Sequence, residues 1–238
     1  MDELGNLISK HQENTTATGS TLVIGLVCFG LTIPMTTFFL NEKQISFNKI
    51  LFAISGLAAL LGGIGCILSF FKNSGGSVEL YENGLVAVKG GKKHIALWNE
   101  ITVVKESIEK MYVRGNYIYD RYLYTIEKLN GETFELSNMV SNIDQIGQVL
   151  KAKTLEILYP QAKEKITNGE QFLFDSLSLD KTGLGGIPWT ELSTLKVNDG
   201  MIEVIDKTGK SVVKGAYAAT PNAHLLVALL KEKLPFTS

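Results

Sequence analysis

The sequence predicts an α+β chain: an N-terminal two-helix transmembrane hairpin, then two tandem β-barrel or β-sheet units, each ending in an α-helix. Three observations predict it. Thr21–Leu40 and Ile50–Phe71 contain no Asp, Glu, Lys, Arg or His. At about 1.5 Å of rise per residue, each run reaches roughly 30 Å, the depth of a bilayer's hydrocarbon core. Beyond Lys72 the pattern changes to short alternating runs, which is how strands with one buried face read, and each half closes on a helical apolar stripe. The expected division is a polar segment over 1–20, a hairpin over 21–71 with spans at 21–40 and 50–71, one unit over 77–167 and a shorter one over 168–238.

Net charge is −1 over 238 residues, so the overall balance does not suggest a nucleic-acid partner. Both cysteines, Cys28 and Cys66, lie inside the apolar runs, which leaves the rest of the chain without a thiol for a disulfide, a zinc site or a nucleophile. The lead segment carries Asp2, Glu3 and Glu13 against Lys10, unlike a signal peptide, and a short helix or irregular chain is expected there. Asn14-Thr15-Thr16 matches the glycosylation acceptor pattern, a match short enough to arise by chance.

In the first run, Pro34 stands among Thr32, Thr36 and Thr37, as in a kinked anchor. An ion or ligand pathway is the other reading, and the absence of any ionisable group argues against it. The second run places Ala58, Gly62 and Cys66 on one stripe and Ser55, Ala59 and Gly63 on another, so a neighbouring helix could approach closely. Lys43 and Lys49 lie in the connecting loop; Lys10, Lys72, Lys89, Lys92 and Lys93 lie outside it. That distribution favours both termini and both units in the cytoplasm. The expectation is a two-pass integral membrane protein with the lipid bilayer as one partner.

After the Asn73–Ser77 linker, strands are expected at Val78–Tyr81, Leu85–Val88, His94–Trp98, Ile101–Lys105, Lys110–Val113, Tyr122–Leu129 and Thr133–Leu136, with Asn130-Gly131 as a hairpin turn. Ser141 and Asp144 read as a variant capping box opening a helix that Pro160 ends or kinks. Strands resume at Phe172–Phe174, Leu177–Asp180, Ile187–Trp189, Thr194–Val197, Met201–Ile205 and Ser211–Ala216. Thr220-Pro221 reads as the start of a last helix whose buried face is Leu225, Leu226, Leu229 and Leu230.

The two halves repeat one another. Gly84-Leu85, Trp98 and Glu100-Ile101 in the first answer to Gly183-Leu184, Trp189 and Glu191-Leu192 in the second. Strands first, one helix last and Trp-x-Glu-Ile or Leu between early strands is similar to pleckstrin-homology-like (PH-like) barrels. The chain resembles an uncharacterised domain-of-unknown-function family of membrane-anchored proteins with tandem PH-like units. The matching residues are Tyr81–Leu85, Trp98–Ile101, Asn130-Gly131, Pro160, Gly169-Glu170, Trp189–Leu192 and Pro221-Asn222, over Val78–Leu234. The resemblance implies a fold and no active site.

Catalytic constellations do not stand out. Of three histidines, only His94 and His224 lie beyond the apolar runs, neither beside a cysteine or a dense carboxylate cluster. No phosphate loop, zinc-protease helix or serine elbow occurs. Expected, therefore, is a non-enzyme without metal or cofactor. Two stretches suit binding. Lys89, Lys92 and Lys93 crowd the first hairpin, which in lipid-binding PH domains often holds inositol phosphates; an anionic lipid headgroup is the ligand this implies. Met111–Tyr124 concentrates five tyrosines with Arg114 and Arg121, the residue types that dominate protein interfaces. Tyr117, Tyr119 and Arg121, near the expected loop, are the candidates for a protein partner. The leading reading is a membrane-anchored interaction or scaffold protein; the alternatives are a lipid-headgroup sensor and an enzyme with a dispersed site.

Overall fold

The computed structural model describes residues 2–13, 23–24, 26–28, 47–73 and 76–237. The N-terminal segment is neither helix nor irregular chain. After a short 3-10 turn at Asp2–Leu4, Leu7–Gln12 forms β1, antiparallel to β2 at Ser77–Tyr81. Lys10 lies opposite Glu79, and the two close an ion pair of 2.7 Å. Leu4 and His11 are buried. Two further strands, β3 at Gly84–Lys89 and β4 at Lys92–Leu97, complete a sheet in the order β1-β2-β3-β4. Residues 14–76 are thus an insertion between two paired strands, leaving and re-entering where Gln12 faces Ser77.

The insertion contains helix α1, Phe47–Asn73, and helical residues at Val23, Ile24 and Leu26–Cys28. Among the described residues no helix is long and apolar enough to cross a membrane. That finding corrects three expectations: the transmembrane hairpin, the fold class built on it, and the two-pass integral-membrane placement. The described side chains of α1 run from Ile54 to Cys66, with Leu68, and Ser55, Gly56, Gly62, Gly63 and Gly65 dilute their apolar surface. A charge-free stretch does not by itself make a span; about 20 predominantly apolar residues in one helix are needed. Most of the first expected span, including Pro34 and its threonines, lies outside the described residues, as do Lys43 and the glycosylation-like Asn14. Ile54, Leu57, Leu61, Ile64 and Leu68 form an exposed apolar stripe on α1.

The rest of the chain is mostly β. The two strands expected at Ile101–Lys105 and Lys110–Val113 are one, β5 at Ile101–Val113, which turns at Arg114-Gly115 into the equally long β6 at Asn116–Lys128. β7, Thr133–Ser137, completes the sheet β5-β6-β7. Helix α2 runs from Ile143 to Thr167 over the first core, and Pro160 lies inside it rather than ending it. Ile143, Ile146 and Leu150 pack into the first core; Leu158, just before the proline, and Ala162 and Ile166, beyond it, pack into the second. Burial at both ends outweighs the hydrogen bond that Pro160 removes from an exposed face.

The second half repeats the plan. β8 (Phe172–Phe174), β9 (Leu177–Leu179), β10 (Gly183–Leu184) and β11 (Ile187–Pro188) form one small sheet. β12 (Leu192–Asn198), β13 (Met201–Asp206) and β14 (Ser211–Ala216) form the next, and helix α3 (Ala223–Lys231) covers them. A last strand, β15 at Phe236–Thr237, adds in parallel to β12. The correspondence extends to detail. The Trp98 indole N–H donates to the Tyr81 and Glu82 carbonyls, and that of Trp189 to Asp180. A side chain at Gly84 would strike the Ala96 backbone, and one at Gly183 the Ile187 backbone. Each capping helix opens on an asparagine in the left-handed region, Asn142 at φ 55° and Asn222 at φ 51°. Neither the expected Ser141–Asp144 box nor Thr220-Pro221 caps its helix.

Candidate functional site

β5 and β6 pair over their whole length, but β7 pairs only with Leu123–Glu127. The outer half of the hairpin therefore projects past its sheet. Cross-strand pairs share a face, so Val104/Ile126, Glu106/Tyr124, Ile108/Tyr122 and Lys110/Asp120 lie on the inner face. Near the core that face is buried: Ile126 is 0% exposed and Tyr124 1%. Beyond Ile108 no described residue covers it comparably, and Tyr112, Val113, Tyr117, Ile118 and Tyr119 are 47–59% exposed. The Tyr112 and Tyr117 rings meet edge to face at 6.0 Å, which stiffens the tip. A register shift between Met111 and Tyr112 leaves Ile118 unpaired and turns the tip. The alternation of aromatics thus divides: Tyr122 and Tyr124 pack inward, whereas Tyr112, Tyr117 and Tyr119 reach solvent.

Two asparagines cap the open edges where the hairpin leaves the fold. Asn138 Nδ2 donates to the Asp120 carbonyl at 3.0 Å, and its Oδ1 accepts from the Tyr122 N–H. On the other edge, Asn222 Oδ1 accepts from the Val104 N–H at 2.8 Å and its Nδ2 donates to the Thr102 carbonyl at 2.7 Å. Its own N–H donates to the Val104 carbonyl at 2.9 Å. Asn222 therefore stands in for a strand and fastens the second unit to the first.

At the base of the hairpin lies a cleft of about 730 Å³. One wall is Glu106, Ile108, Lys110 and Asp120; the other is the second unit's Asp199–Met201 turn with Ala216–Ala218. Glu106 is buried, held by Lys151 Nζ at 2.7 and 2.9 Å and by the Tyr124 hydroxyl at 2.9 Å. Burial, then the Glu106 charge, raises the Tyr124 and Tyr217 phenols. Asp120 differs: its Oδ1 is buried and no hydrogen-bond donor reaches it.

Behind the cleft, His224 Nε2 lies 3.1 Å from Thr154 Oγ1, whose hydroxyl donates to the Leu150 carbonyl. Burial, followed by the Lys151 charge, lowers His224 to about 4. The unfolded imidazole keeps a value near 6.5. Stability is therefore complete above about pH 6.5 and declines as pH falls toward 4, where unfolding alone takes up the proton, by about 3 kcal/mol in all. His224→Gln is expected to abolish most of the difference in urea midpoint between pH 7 and pH 4.5. An unchanged difference would assign the acid sensitivity elsewhere.

The basic hairpin is arranged otherwise than its clustering suggests. Lys89 and Lys92 face one another across the Gly90-Gly91 turn, whereas Lys93 pairs with Val88 on the opposite face. Lys89 lies 3.6 Å from Glu135. His94, on the face of Lys89 and Lys92, bonds Glu132 at 2.8 Å and stacks on Phe134. Lys89, His94, Phe134 and Glu135 line a groove of about 310 Å³ together with Val78, Ala87 and Leu136. Arg121 is exposed on the outer face of the projecting hairpin, 3.6 Å from Glu109. Tyr117 and Tyr119 are brought together with the tip; the lysines are remote from it in register. Sequence reasoning did not pick out Ile108, Asp120, Met201 or Tyr217. The even spacing of Glu106, Ile108, Lys110 and Tyr112 on one strand face was the available signal for Ile108. Among the described residues, no group of three or more His, Cys, Asp or Glu side chains could hold a metal ion.

Fold and site together define a β-rich protein of two repeated sheet-and-helix units, with a projecting aromatic hairpin beside an inter-unit cleft. The chain belongs to a family of unknown function (DUF6585), whose pattern covers residues 1–235. Comparison with curated proteins and with solved structures found no match to either.

Proposed function

We propose that this chain is a non-enzymatic interaction protein, in which tandem PH-like units hold out the β5–β6 hairpin to a protein partner. The observation that carries the reading is the hairpin's outer half, where five large apolar or aromatic side chains stand exposed on a doubly hydrogen-bonded, aromatic-braced ribbon. Such residues bury large area at little entropic cost when the backbone is already fixed. The repeat of four strands, three strands and a helix supports the PH-like reading. A photo-crosslinking residue in place of Tyr119 is expected to trap one discrete adduct in cells. The same residue in place of Lys214, exposed on β14, is expected to trap none. Adding Tyr117→Ser should reduce the Tyr119 adduct at least fivefold. Equal adducts at both positions, or none at Tyr119, would refute the reading.

A further inference from the structure

We propose that the cleft beside the hairpin receives an extended segment of another protein, which adds as a strand to the free edge of β5 and places an Arg or Lys side chain on Asp120. The proposal rests on the hairpin-binding reading and names the kind of partner. β5 is the edge of its sheet, and among the described residues no strand pairs on its outer side. Val104 shows which side that is, because both its N–H and its C=O turn away from β6 to Asn222. Orientation repeats every second residue along a strand. Glu106, Ile108 and Lys110 accordingly offer their backbone donors and acceptors on that same side, at the wall of the cleft. Asn222 occupies the edge only as far as Val104. Beyond it the edge is open, long and flanked by Ile108, Met201 and Tyr217, a template for β-addition.

Charge selects the side chain. Glu106 is satisfied by Lys151 and Tyr124, but Asp120 holds a carboxylate oxygen out of water with no donor. A buried acceptor left empty is costly, and a charged donor answers it more strongly than a neutral one. Asp199 adds a second negative group on the opposite wall, against Lys110 as the cleft-lining cation. An extended segment alternating apolar residues with one Arg or Lys meets the edge, the apolar wall and the carboxylate at once.

The probe is a phage-displayed random decapeptide library panned against the full chain, with the most enriched sequence synthesised. Enrichment of alternating β-branched sequences with one Arg or Lys is expected. The synthesised peptide should slow amide exchange at Ile108 and Lys110 at least tenfold. Ile108→Pro removes the outward N–H at an edge position that tolerates proline and should weaken the peptide at least tenfold. Asp120→Asn should weaken it by a similar factor and erase the preference for the basic residue. Circular dichroism of both variants should match the parent; Ile108→Ala, which keeps the N–H and trims the apolar wall, should weaken the peptide clearly less than Ile108→Pro, and that difference isolates the lost N–H from the lost side chain. Enriched peptides without a basic residue, or insensitive to both changes, would overturn the proposal, as would no enrichment. Concentration-dependent dimerisation lost in Ile108→Pro would also overturn it, by making the occupant a second copy of the chain. In each case the Tyr119 adduct is the separate readout of the hairpin reading: its persistence leaves that reading standing, and its absence removes both.

Discussion

Asn222→Ala is expected to destabilise the chain by about 3 kcal/mol, because one side chain satisfies two interior backbone groups of a strand more than a hundred residues away. Without it the Val104 N–H and the Thr102 C=O lose their partners where water enters poorly; Val104 is 1% exposed. Alanine also resists the left-handed φ of 51°. The measurement is urea unfolding at neutral pH, together with amide exchange at Val104, which should accelerate. Two further variants separate the causes. Asn222→Gly relieves the backbone and keeps the hydrogen-bond loss. Asn222→Asp retains an acceptor for Val104 but sets a carboxylate against the Thr102 carbonyl, and should cost as much as alanine or more. If Asn222→Asp is as stable as the parent, the donor half of the bridge has no energetic weight.

Gly147→Ala is expected to cost up to about 3 kcal/mol, the upper range for forcing atoms into a packed interior. Gly147 is buried on α2, and a methyl there would overlap the ring tip and hydroxyl of Tyr124. That ring cannot simply retreat. It is 1% exposed, stacks near Tyr122 at 6.4 Å and donates to Glu106. Helix propensity favours alanine over glycine by about 1 kcal/mol, so any net loss understates the steric conflict. A double-mutant cycle with Tyr124→Leu, which removes the overlapping atoms, should show coupling above about 1 kcal/mol. Additive losses would mean that the helix shifts as a body and that the ring contact is incidental.

Much of this fold was legible as pattern. Alternation located most strands after Lys72, and the Gly-Leu and Trp-x-Glu repeats marked the two halves as alike. Leu225, Leu226, Leu229 and Leu230 were readable as a buried face because a 3.6-residue period is unambiguous there. β1 was not readable. Its inward positions are His11 and Ser9 while Leu7 and Ile8 are exposed, so its own sequence carries no strand pattern. It is a strand because β2 offers an edge. The charge-free runs misled for the opposite reason: freedom from charge spoke loudly about solvent preference, yet among the described residues no helix is long and apolar enough to cross a membrane. At the candidate site, aromatic density exposed the hairpin tip, whereas the two walls of the cleft are far apart in the sequence, Glu106–Asp120 on one and Asp199–Ala218 on the other. Tyr217 and Met201 meet Ile108 through Asn222, and no local signal encodes that meeting.

The place of β1 has a consequence for the order in which the chain assembles. Residues 2–13 are synthesised well before their partner strand, which arrives only after the insertion has been made. Closing a loop of roughly sixty residues costs on the order of 4 kcal/mol in chain entropy, less whatever α1 recovers by shortening the path. Such distant pairing comes late and is slow. The sheet of β2, β3 and β4 is therefore expected to form first with β2 as its edge, and β1 to close it last. A strand made before its partners is thus the last of its sheet to dock, and until it does, β2 remains the seam at which this protein can pair with the wrong chain.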